Sequence, residues 1–172
     1  MTDSDFRWLT EDEQRVWRSF MQAFNDFNAH LDRQLRQDSG IPVAYYEILV
    51  MLSEAPGRRL RMGELAEKLS SSRSRLSHAV TALEKAGYVS RCAADGDRRG
   101  QVAQLTQTGY SVLEAAAPGH VTEVRSNLFD LLTPEQLTAL GEIAAAMNGK
   151  MKGVCAQARA EAEAEDCPTT VV

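Results

Sequence analysis

A cluster of basic and hydroxyl-bearing side chains lies near the middle of the sequence. If this stretch is a helix whose inward direction is set by Leu76, the cluster occupies the outward face and its flanks. Its members are Arg73, Ser74, Arg75, Ser77, His78, Thr81 and Lys85. Arginine can donate two hydrogen bonds to guanine, and serine and threonine can bond to base edges or phosphates. The composition therefore favours a helix that enters the major groove of DNA, because a solvated face would contain more glutamates than the single Glu84.

A second basic cluster follows at residues 95–100, with the sequence Asp-Gly-Asp-Arg-Arg-Gly. Asp95-Gly96 is a strong signal for a hairpin turn. Arg98 and Arg99 would then lie at the tip of a β-hairpin, where they can reach a phosphate or the minor groove, and Asp97 is near enough to orient them. A surface turn made polar for solubility has the same composition, but the position after a helix pair favours contact with DNA.

Positive charge is concentrated in this part of the chain. The protein has a net charge of −5, yet residues 58–99 carry ten basic and five acidic side chains. The segments before and after them are each net acidic. A compact basic segment in an acidic chain is typical of a protein with one surface for an anionic partner. Duplex DNA is the favoured partner, and a winged-helix module that binds an acidic protein through the same face is the alternative.

Two short helices and a hairpin are predicted to position the basic residues. Apolar spacing indicates one helix over 62–69 and a second that is capped by Ser70-Ser71-Ser72 and ends at Ala86-Gly87. Strand-like patterns follow over 88–92 and 101–105, and residues 59–61 could form one short strand. Two helices joined by a tight polar turn form a helix-turn-helix, and the hairpin behind them is a candidate wing.

A long helix precedes this region. Thr10 and Glu13 form a capping-box pattern, and a single apolar stripe then continues until Gly40. At about 1.5 Å per residue this helix is about 40 Å long, which is more than a small core can cover. We therefore expect it to need a partner surface. A second helix is predicted over 43–53, ending at Pro56-Gly57.

The chain after residue 105 is predicted to be helical. We expect a kink or a break at Pro118-Gly119, and a further helix that begins at Thr133-Pro134 with Gln136 at the capping-box position. The predicted fold is thus mainly α with a small β-hairpin wing, a winged helix-turn-helix flanked by dimerisation helices. One compact protomer would comprise a dimerisation helix (1–40), the DNA-binding region (41–105), C-terminal dimerisation helices (106–158) and a disordered tail (159–172).

Other classes of protein find little support in the sequence. Common motifs for metal-assisted hydrolysis, dinucleotide binding, phosphate loops and nucleophilic serine are absent, so we expect no enzyme, no metal and no cofactor. The acidic N-terminus is not followed by an apolar stretch, and no apolar run is long enough for a membrane span, so a cytoplasmic location is expected. The three cysteines, Cys92, Cys155 and Cys167, lack CxxC spacing and are interpreted as free thiols, with oxidant sensing by one of them left open.

Residues 42–110 resemble the MarR family of transcriptional regulators (multiple antibiotic resistance regulators). The resemblance lies in Leu65-Ala66-Glu67-Lys68-Leu69, in the run from Leu83 to Arg91, and in Asp95-Gly96-Asp97-Arg98-Arg99 followed by Leu105-Thr106-Gln107-Thr108-Gly109. The last pair is the most specific, because the family's wing has an Asp-Arg-Arg followed shortly by Leu-Thr-x-x-Gly. The flanking helices match the family in order and length.

The resemblance implies a homodimer whose first and last helices interlock. The helix from Ser72 to Ala86 of each protomer would enter consecutive major grooves, and Arg98 or Arg99 would enter the flanking minor groove. Family members commonly bind small phenolic or carboxylate anions, which release the DNA. Aromatic and cationic side chains that could line such a pocket here are Trp17, His30, Tyr45, Tyr46, His120 and Arg125, although core packing and helix-end pairing are common uses of the same residue types.

Overall fold

The computed structural model describes residues 6–94 and 97–165, and it describes their side chains except at 94, 97–100 and 152–165. The elements in chain order are α1 (Glu11–Ser39), α2 (Val43–Glu54), a 3-10 turn (Pro56–Arg58), β1 (Arg59–Arg61), α3 (Met62–Lys68), α4 (Arg73–Lys85), β2 (Val89–Ala94), β3 (Asp97–Leu105), α5 (Gln107–Asn127), a 3-10 turn (Phe129–Leu131) and α6 (Pro134–Glu165). The chain divides into two compact units, Met1–Val124 and Arg125–Val172.

Helix α1 begins and ends where its sequence predicts. The Thr10 side chain accepts a hydrogen bond from the backbone N–H of Glu13, and the Glu13 carboxylate accepts one from the backbone N–H of Thr10. These two bonds satisfy N–H groups that the first turn of a helix would otherwise leave unpaired. Gly40 ends the helix in the left-handed conformation, with φ at 70°, which glycine adopts at little cost.

The three strands form one antiparallel sheet in the order β1-β3-β2. Leu60 of β1 faces Ala103 of β3, and on the other side Arg91 of β2 faces Ala103 as well. The hairpin predicted from the sequence is therefore confirmed, and it consists of β2 and β3. The short strand predicted over 59–61 is β1, the third strand of the sheet. An irregularity in the pairing lies between Ala93 and Ala94, close to the end of the hairpin.

The core of the first unit lies where the helices pack on this sheet. Leucine and valine side chains from four helices are almost fully buried, and they are Leu35, Leu49, Leu52, Leu65, Leu76, Val80 and Leu83. Each such side chain contributes about 1.5–3 kcal/mol through removal from water. Leu76, Val80 and Leu83 come from one face of α4, as the apolar spacing predicted, so the opposite face of α4 is left for another use.

Helix α5 continues through Pro118, so of the kink or break expected at Pro118-Gly119 the break is wrong. Proline inside a helix removes one hydrogen bond and costs about 3 kcal/mol. Contacts on both sides of the proline oppose this cost. Leu113 and Ala116 are buried before it, and the rings of His120 and Tyr46 lie 4.5 Å apart after it. The helix ends at Asn127.

The second unit contains the end of α5 and helix α6. The predicted capping box of α6 is present, because Thr133 N–H donates to the Gln136 side chain at 2.9 Å and Gln136 N–H donates to the Thr133 hydroxyl at 3.3 Å. Helix α6 extends to Glu165, beyond the boundary expected at residue 158, and residues 166–172 of the predicted tail lie outside the described residues. No helix within 6–94 and 97–165 is long and apolar enough to cross a membrane.

Candidate nucleic-acid interface

The turn between α3 and α4 sets the geometry of the helix pair. Ser70 adopts the left-handed conformation with φ at 49°. The Ser70 N–H donates to the Glu67 carbonyl, and the Ser71 N–H reaches back to the Ala66 carbonyl, which satisfies the carbonyl groups at the end of α3. Ser72 then caps α4 by accepting a hydrogen bond from the Arg75 N–H at 3.3 Å. The predicted helix-turn-helix is therefore confirmed, and the cap is the last of the three serines predicted to supply it.

The first two turns of α4 expose the residues predicted to contact DNA. Five of them are exposed, and they are Arg73, Ser74, Arg75, Ser77 and His78. Among the side chains that the structure describes, none bonds to the guanidinium group of Arg73 or Arg75. Both positive charges are thus available to an external anion, and they lie at the N-terminal end of α4, where the helix dipole also favours an anion.

Thr81 differs from these five residues because its hydroxyl group is engaged within the protein. The hydroxyl donates to the Ser77 carbonyl at 2.8 Å and accepts from the Arg91 guanidinium at 3.0 Å. Thr81 is also partly buried rather than exposed. The sequence placed Thr81 on the outward face by helical spacing, and no spacing rule could reveal a partner on a strand ten residues away.

Arg91 on β2 is a residue of this site that the sequence patterns did not single out. Its Nη2 atom donates to the Ser77 carbonyl at 2.8 Å as well as to Thr81. Its Nε atom lies 3.3 Å from the Glu84 carboxylate, an ion-pair distance, although the angle forms no hydrogen bond. The backbone N–H of Arg91 donates to the same carboxylate at 3.1 Å. One strand residue therefore connects the hairpin to three residues of α4.

The hairpin is the second predicted contact region. Strand β3 begins at Asp97, so Asp97, Arg98 and Arg99 belong to the hairpin as predicted. The side chains of these three residues, and all of Asp95 and Gly96, lie outside the described residues. Their contact with DNA stays a prediction.

The residues predicted for an effector pocket separate into distinct environments. Tyr46 is buried, and its ring lies 4.5 Å from that of His120, centre to centre, at a tilt of 50°. Burial raises the pKa of Tyr46 and lowers that of His120. His30 bonds to the Glu123 carboxylate at 2.7 Å. Tyr45 packs partly buried against the core, and Trp17 is 53% exposed on α1. Arg125 belongs to the second unit and pairs with Asp130 at 2.7 Å.

Two buried polar atoms without a described partner lie on α1 and α5, and the second of them belongs to His120. Gln34 of α1 is only 8% exposed, and its Oε1 atom has no hydrogen-bond partner among the described residues. The Nδ1 atom of His120 likewise has none in that part of the chain. Sequence analysis missed Gln34, because a single glutamine on an amphipathic helix carries no signal of its burial.

Cys92 is exposed and forms no disulfide, as expected for a free thiol. The side chain of Cys155 and the whole of Cys167 lie outside the described residues. Within the described ranges, no group of three histidine, cysteine, aspartate or glutamate side chains could hold a metal ion.

Comparison with known proteins identifies the family of this chain. Sco3205 of Streptomyces coelicolor is a MarR family transcriptional regulator whose crystal structure is a complex with DNA. The two chains are 53% identical, and they superpose with a TM-score of 0.82. The match covers 85% of this chain and 91% of Sco3205. The chain belongs to the MarR family. The MarR family model itself matches residues 39–100, which include the helix-turn-helix.

Two other transcriptional regulators are also similar. AbsC of Streptomyces coelicolor is 40% identical, with a TM-score of 0.82, and the match covers 86% of this chain and 99% of AbsC. The HTH-type transcriptional regulator YfiV of Bacillus subtilis is 27% identical over 136 residues, which are 78% of this chain and 81% of YfiV. The predicted winged-helix fold and the predicted role as a transcriptional regulator are therefore confirmed at the level of the family.

The MarR-type Leu-Thr-x-x-Gly sequence has a visible physical role in this structure. The Thr106 hydroxyl donates to the Gly87 carbonyl at 2.7 Å and accepts from the Gly109 N–H at 3.0 Å. Thr106 thus caps α5 and ties its start to the turn that follows α4. Leu105 is buried in the core at the end of β3. The motif joins the base of the wing to α5.

Proposed function

We propose that this MarR family protein binds duplex DNA sequence-specifically as a homodimer and acts as a ligand-responsive repressor. The observation that carries the proposal is the outward surface of α4, where Arg73 and Arg75 are exposed and unpaired among the described residues. The crystal structure of Sco3205, at 53% identity, is a complex with DNA, which supports the same target for this chain. Since the target is DNA, we expect the protein to act in the cytoplasm.

The proposed binding mode assigns different tasks to the two basic regions. The N-terminal half of α4 enters the major groove, where Arg73 and Arg75 donate to base edges or phosphates and the exposed hydroxyl and imidazole groups add polar contacts. Ser74, Ser77 and His78 supply these groups. In the wing, Arg98 and Arg99 contact phosphates or the minor groove, with Asp97 orienting them. Base choice would come mainly from α4, and general affinity mainly from the wing.

A homodimer is proposed because apolar side chains remain exposed on both units. Val16, Trp17, Phe20 and Phe24 are all more than 40% exposed on α1, and Leu137, Ile143 and Met147 are similarly exposed on α6. Exposed apolar patches of this kind mark interaction surfaces. A two-fold axis would present two α4 helices to half-sites about one helical turn apart, about 34 Å, and a pseudo-palindromic operator would match that symmetry.

The proposed effector is a small phenolic or carboxylate anion. Its binding region would include the Tyr46–His120 ring pair, next to helix α1 with its buried Gln34. Unpartnered polar atoms beside aromatic rings are typical of sites that accept a small ring with one polar substituent. A thermal-shift series with benzoate, salicylate and non-aromatic carboxylates tests this, because a ligand that binds the folded state raises the melting temperature. His120→Phe should abolish a shift that arises at this site.

The DNA-binding proposal is tested by selection of duplexes from a random pool, followed by gel-shift measurement at several salt concentrations. Wild type should bind the selected duplex at least about 1,000-fold more tightly than a scrambled one. Arg75→Ala should weaken this preference, whereas Arg99→Ala should weaken binding to all sequences and reduce the salt slope by about one. Arg33→Ala, on the exposed side of α1, is the control for loss of a positive charge.

An acidic protein partner is the competing outcome. Salt weakens both kinds of complex, so competition is the sharper measurement. Failure to enrich any duplex, with an acidic protein bound in a way that duplex DNA cannot displace, would reject the DNA-binding proposal.

A further inference from the structure

Arg91 forms the main polar connection described between the wing and α4. The Arg91 side chain is only 20% exposed, and its charge lies against the carboxylate of Glu84, whose side chain is 33% exposed. The fork of the guanidinium reaches the Ser77 carbonyl, the Thr81 hydroxyl and the Glu84 carboxylate, while the backbone N–H bonds to Glu84 again. Nη2 donates to both the Ser77 carbonyl and the Thr81 hydroxyl while Nε lies at ion-pair distance from Glu84, and a lysine, with a single nitrogen on a flexible chain, lacks this fixed arrangement.

This connection changes what Thr81 can do. Its single proton is donated to the Ser77 carbonyl, and Arg91 occupies one of its lone pairs. Thr81 therefore has no donor left for a base edge, and it is less exposed than Arg73, Arg75 and His78. The exposed residues Arg73, Ser74, Arg75 and His78 lie one to two turns before it on α4.

We infer that Arg91 is a positioning residue that fixes the recognition helix α4 relative to the wing, and that Thr81 acts through Arg91 and not as a base-reading residue. The inference rests on the proposed function. A helix that can rotate relative to its wing still neutralises phosphates, but it no longer holds its side chains opposite particular base edges. Loss of Arg91 should therefore reduce discrimination between sequences more than it reduces general affinity.

The test uses the full-length protein and the duplexes that wild type selects from a random pool. Arg91→Lys keeps the charge and loses the fork, and Arg33→Lys is the matched control at an exposed position of α1. Affinities for the selected and for a scrambled duplex are measured across a salt series. For Arg91→Lys we expect the ratio of the two affinities to fall at least about 10-fold, with the salt slope unchanged. Arg33→Lys should change neither quantity.

Two further variants separate positioning from direct contact. Thr81→Val removes the hydroxyl at similar volume and should leave the preferred base at every position of the selected duplex unchanged. In Glu84→Gln the ion pair is lost but an acceptor remains, so its effect should be smaller than that of Arg91→Lys. The double variant Arg91→Lys with Glu84→Gln should lose less discrimination between duplexes than the sum of the losses in the two single variants, because Arg91 and Glu84 belong to one network. Circular dichroism and melting curves verify that each variant is folded at the assay temperature.

Several results would overturn this assignment. If Arg91→Lys retains wild-type discrimination while wild type selects a duplex, Arg91 does not position α4. If the salt slope of Arg91→Gln falls by about one, Arg91 contacts a phosphate itself. If Thr81→Val relaxes the preference at a single base position, Thr81 reads that base. If wild type selects no duplex at all, the proposed function fails first, and this assignment fails with it.

Discussion

The backbone of Gly109 lies directly against the carbonyl group of Tyr88. A Cβ atom at position 109 would overlap both the carbonyl carbon and the oxygen of Tyr88, and it would press on the Leu105 side chain at 2.9 Å. The start of α5 can therefore approach the turn after α4 only because residue 109 has no side chain. This contact fixes the distance between the helix-turn-helix and α5.

Gly109→Ala should destabilise the protein. The added methyl group meets backbone atoms that cannot move aside, so we expect the free energy of unfolding to fall by about 1–3 kcal/mol. Chemical denaturation followed by circular dichroism measures the loss. Gly63→Ala is the control, because nothing lies within 4 Å of a Cβ built at that position of α3, and it should be neutral or slightly stabilising. Equal midpoints for Gly109→Ala and wild type would contradict the close contact.

Ser70→Gly should stabilise the helix-turn-helix or leave it unchanged. Ser70 is left-handed, a conformation that costs a residue with a Cβ about 1–2 kcal/mol and costs glycine almost nothing. The greater freedom of glycine in the unfolded chain offsets about 0.4–1 kcal/mol of this gain. Ser70→Val provides the opposite test, because a β-branched side chain tolerates positive φ poorly and should destabilise by more than about 1 kcal/mol. Thermal melts of both variants and of wild type measure these differences in stability. If Ser70→Val is as stable as Ser70→Gly, residue 70 does not adopt the left-handed conformation.

Asp32 connects α1 to the start of α2. Its carboxylate accepts from the Arg36 side chain at 2.6 Å and from the Val43 backbone N–H at 3.0 Å. Pro42 offers α2 no capping side chain, so Asp32 takes that role from the preceding helix. We expect Asp32→Ala to lower the free energy of unfolding at pH 7 by about 0.5–2 kcal/mol, as for other lost caps. Asp26→Ala, which removes only an exposed bond to Gln22 on α1, should cost less.

The stability that Asp32 supplies should also depend on pH. Hydrogen bonds from Arg36 and then from Val43 hold the pKa of Asp32 below its ordinary value of 3.8. The folded state therefore favours the charged form. The contribution is fully present well above the ordinary pKa of 3.8 and is lost as pH falls through the lowered pKa. Denaturation midpoints between pH 2.5 and 6 should decline less steeply for Asp32→Asn than for wild type. Parallel curves would contradict the ion pair.

The burial of His120 predicts a second pH dependence of stability, in a higher pH range than that of Asp32. Burial lowers its pKa below the ordinary value of 6.5, so the folded protein favours the neutral ring. As pH falls below about 6.5, the unfolded chain takes up a proton that the folded chain resists, and stability declines until the lowered pKa is passed. His120→Phe keeps a ring beside Tyr46 and removes the titration. The slope of stability against pH between 5 and 7 should be smaller in this variant, and an unchanged slope would place His120 in a solvated environment.

Much of this fold could be predicted because its signals are local. Thr10, Ser72 and Thr133 cap helices at the predicted residues, since a cap needs only a hydroxyl and the N–H group three residues later. The buried face of α4 followed from the spacing of Leu76, Val80 and Leu83. The left-handed Gly40 likewise follows from a single residue type at the end of an amphipathic stretch.

The features that could not be predicted depend on contacts distant in sequence. Arg91 meets Ser77 only because β2 packs beside α4, and the pattern of either element alone does not reveal this. Helix α5 passes through Pro118 because tertiary contacts outweigh the local penalty, so a rule based on proline alone could not decide between a break and a continuous helix. The candidate effector residues were collected by chemical type, and this is why Trp17 and Arg125 lie in environments unlike that of Tyr46.

The apolar stripe of α1 is exposed in the N-terminal half of the helix and buried in the C-terminal half. Leu31 and Leu35 are buried against the first unit, whereas Phe20 and Phe24, on the same stripe, stack on one another with ring centres 6.1 Å apart and stay largely exposed. An aromatic surface of this kind is costly in water, which supports the proposal that a second copy of the chain covers it. Phe20→Lys with Phe24→Lys should therefore weaken the homodimer strongly, because burying two charges in an interface is unfavourable.

Light scattering and sedimentation at 1–10 μM (on the order of expected dimer affinities) measure the effect. Wild type should be dimeric and the double variant largely monomeric, with a melting temperature that no longer rises with protein concentration. Gln22→Lys is the matched control, since helical spacing places Gln22 opposite Phe20 and Phe24 on α1. The monomer should also bind a single half-site with the weak affinity of one recognition helix. A double variant that remained dimeric would show that the exposed half of the α1 stripe is not the interface, and the two-fold geometry proposed for DNA binding would then need other surfaces.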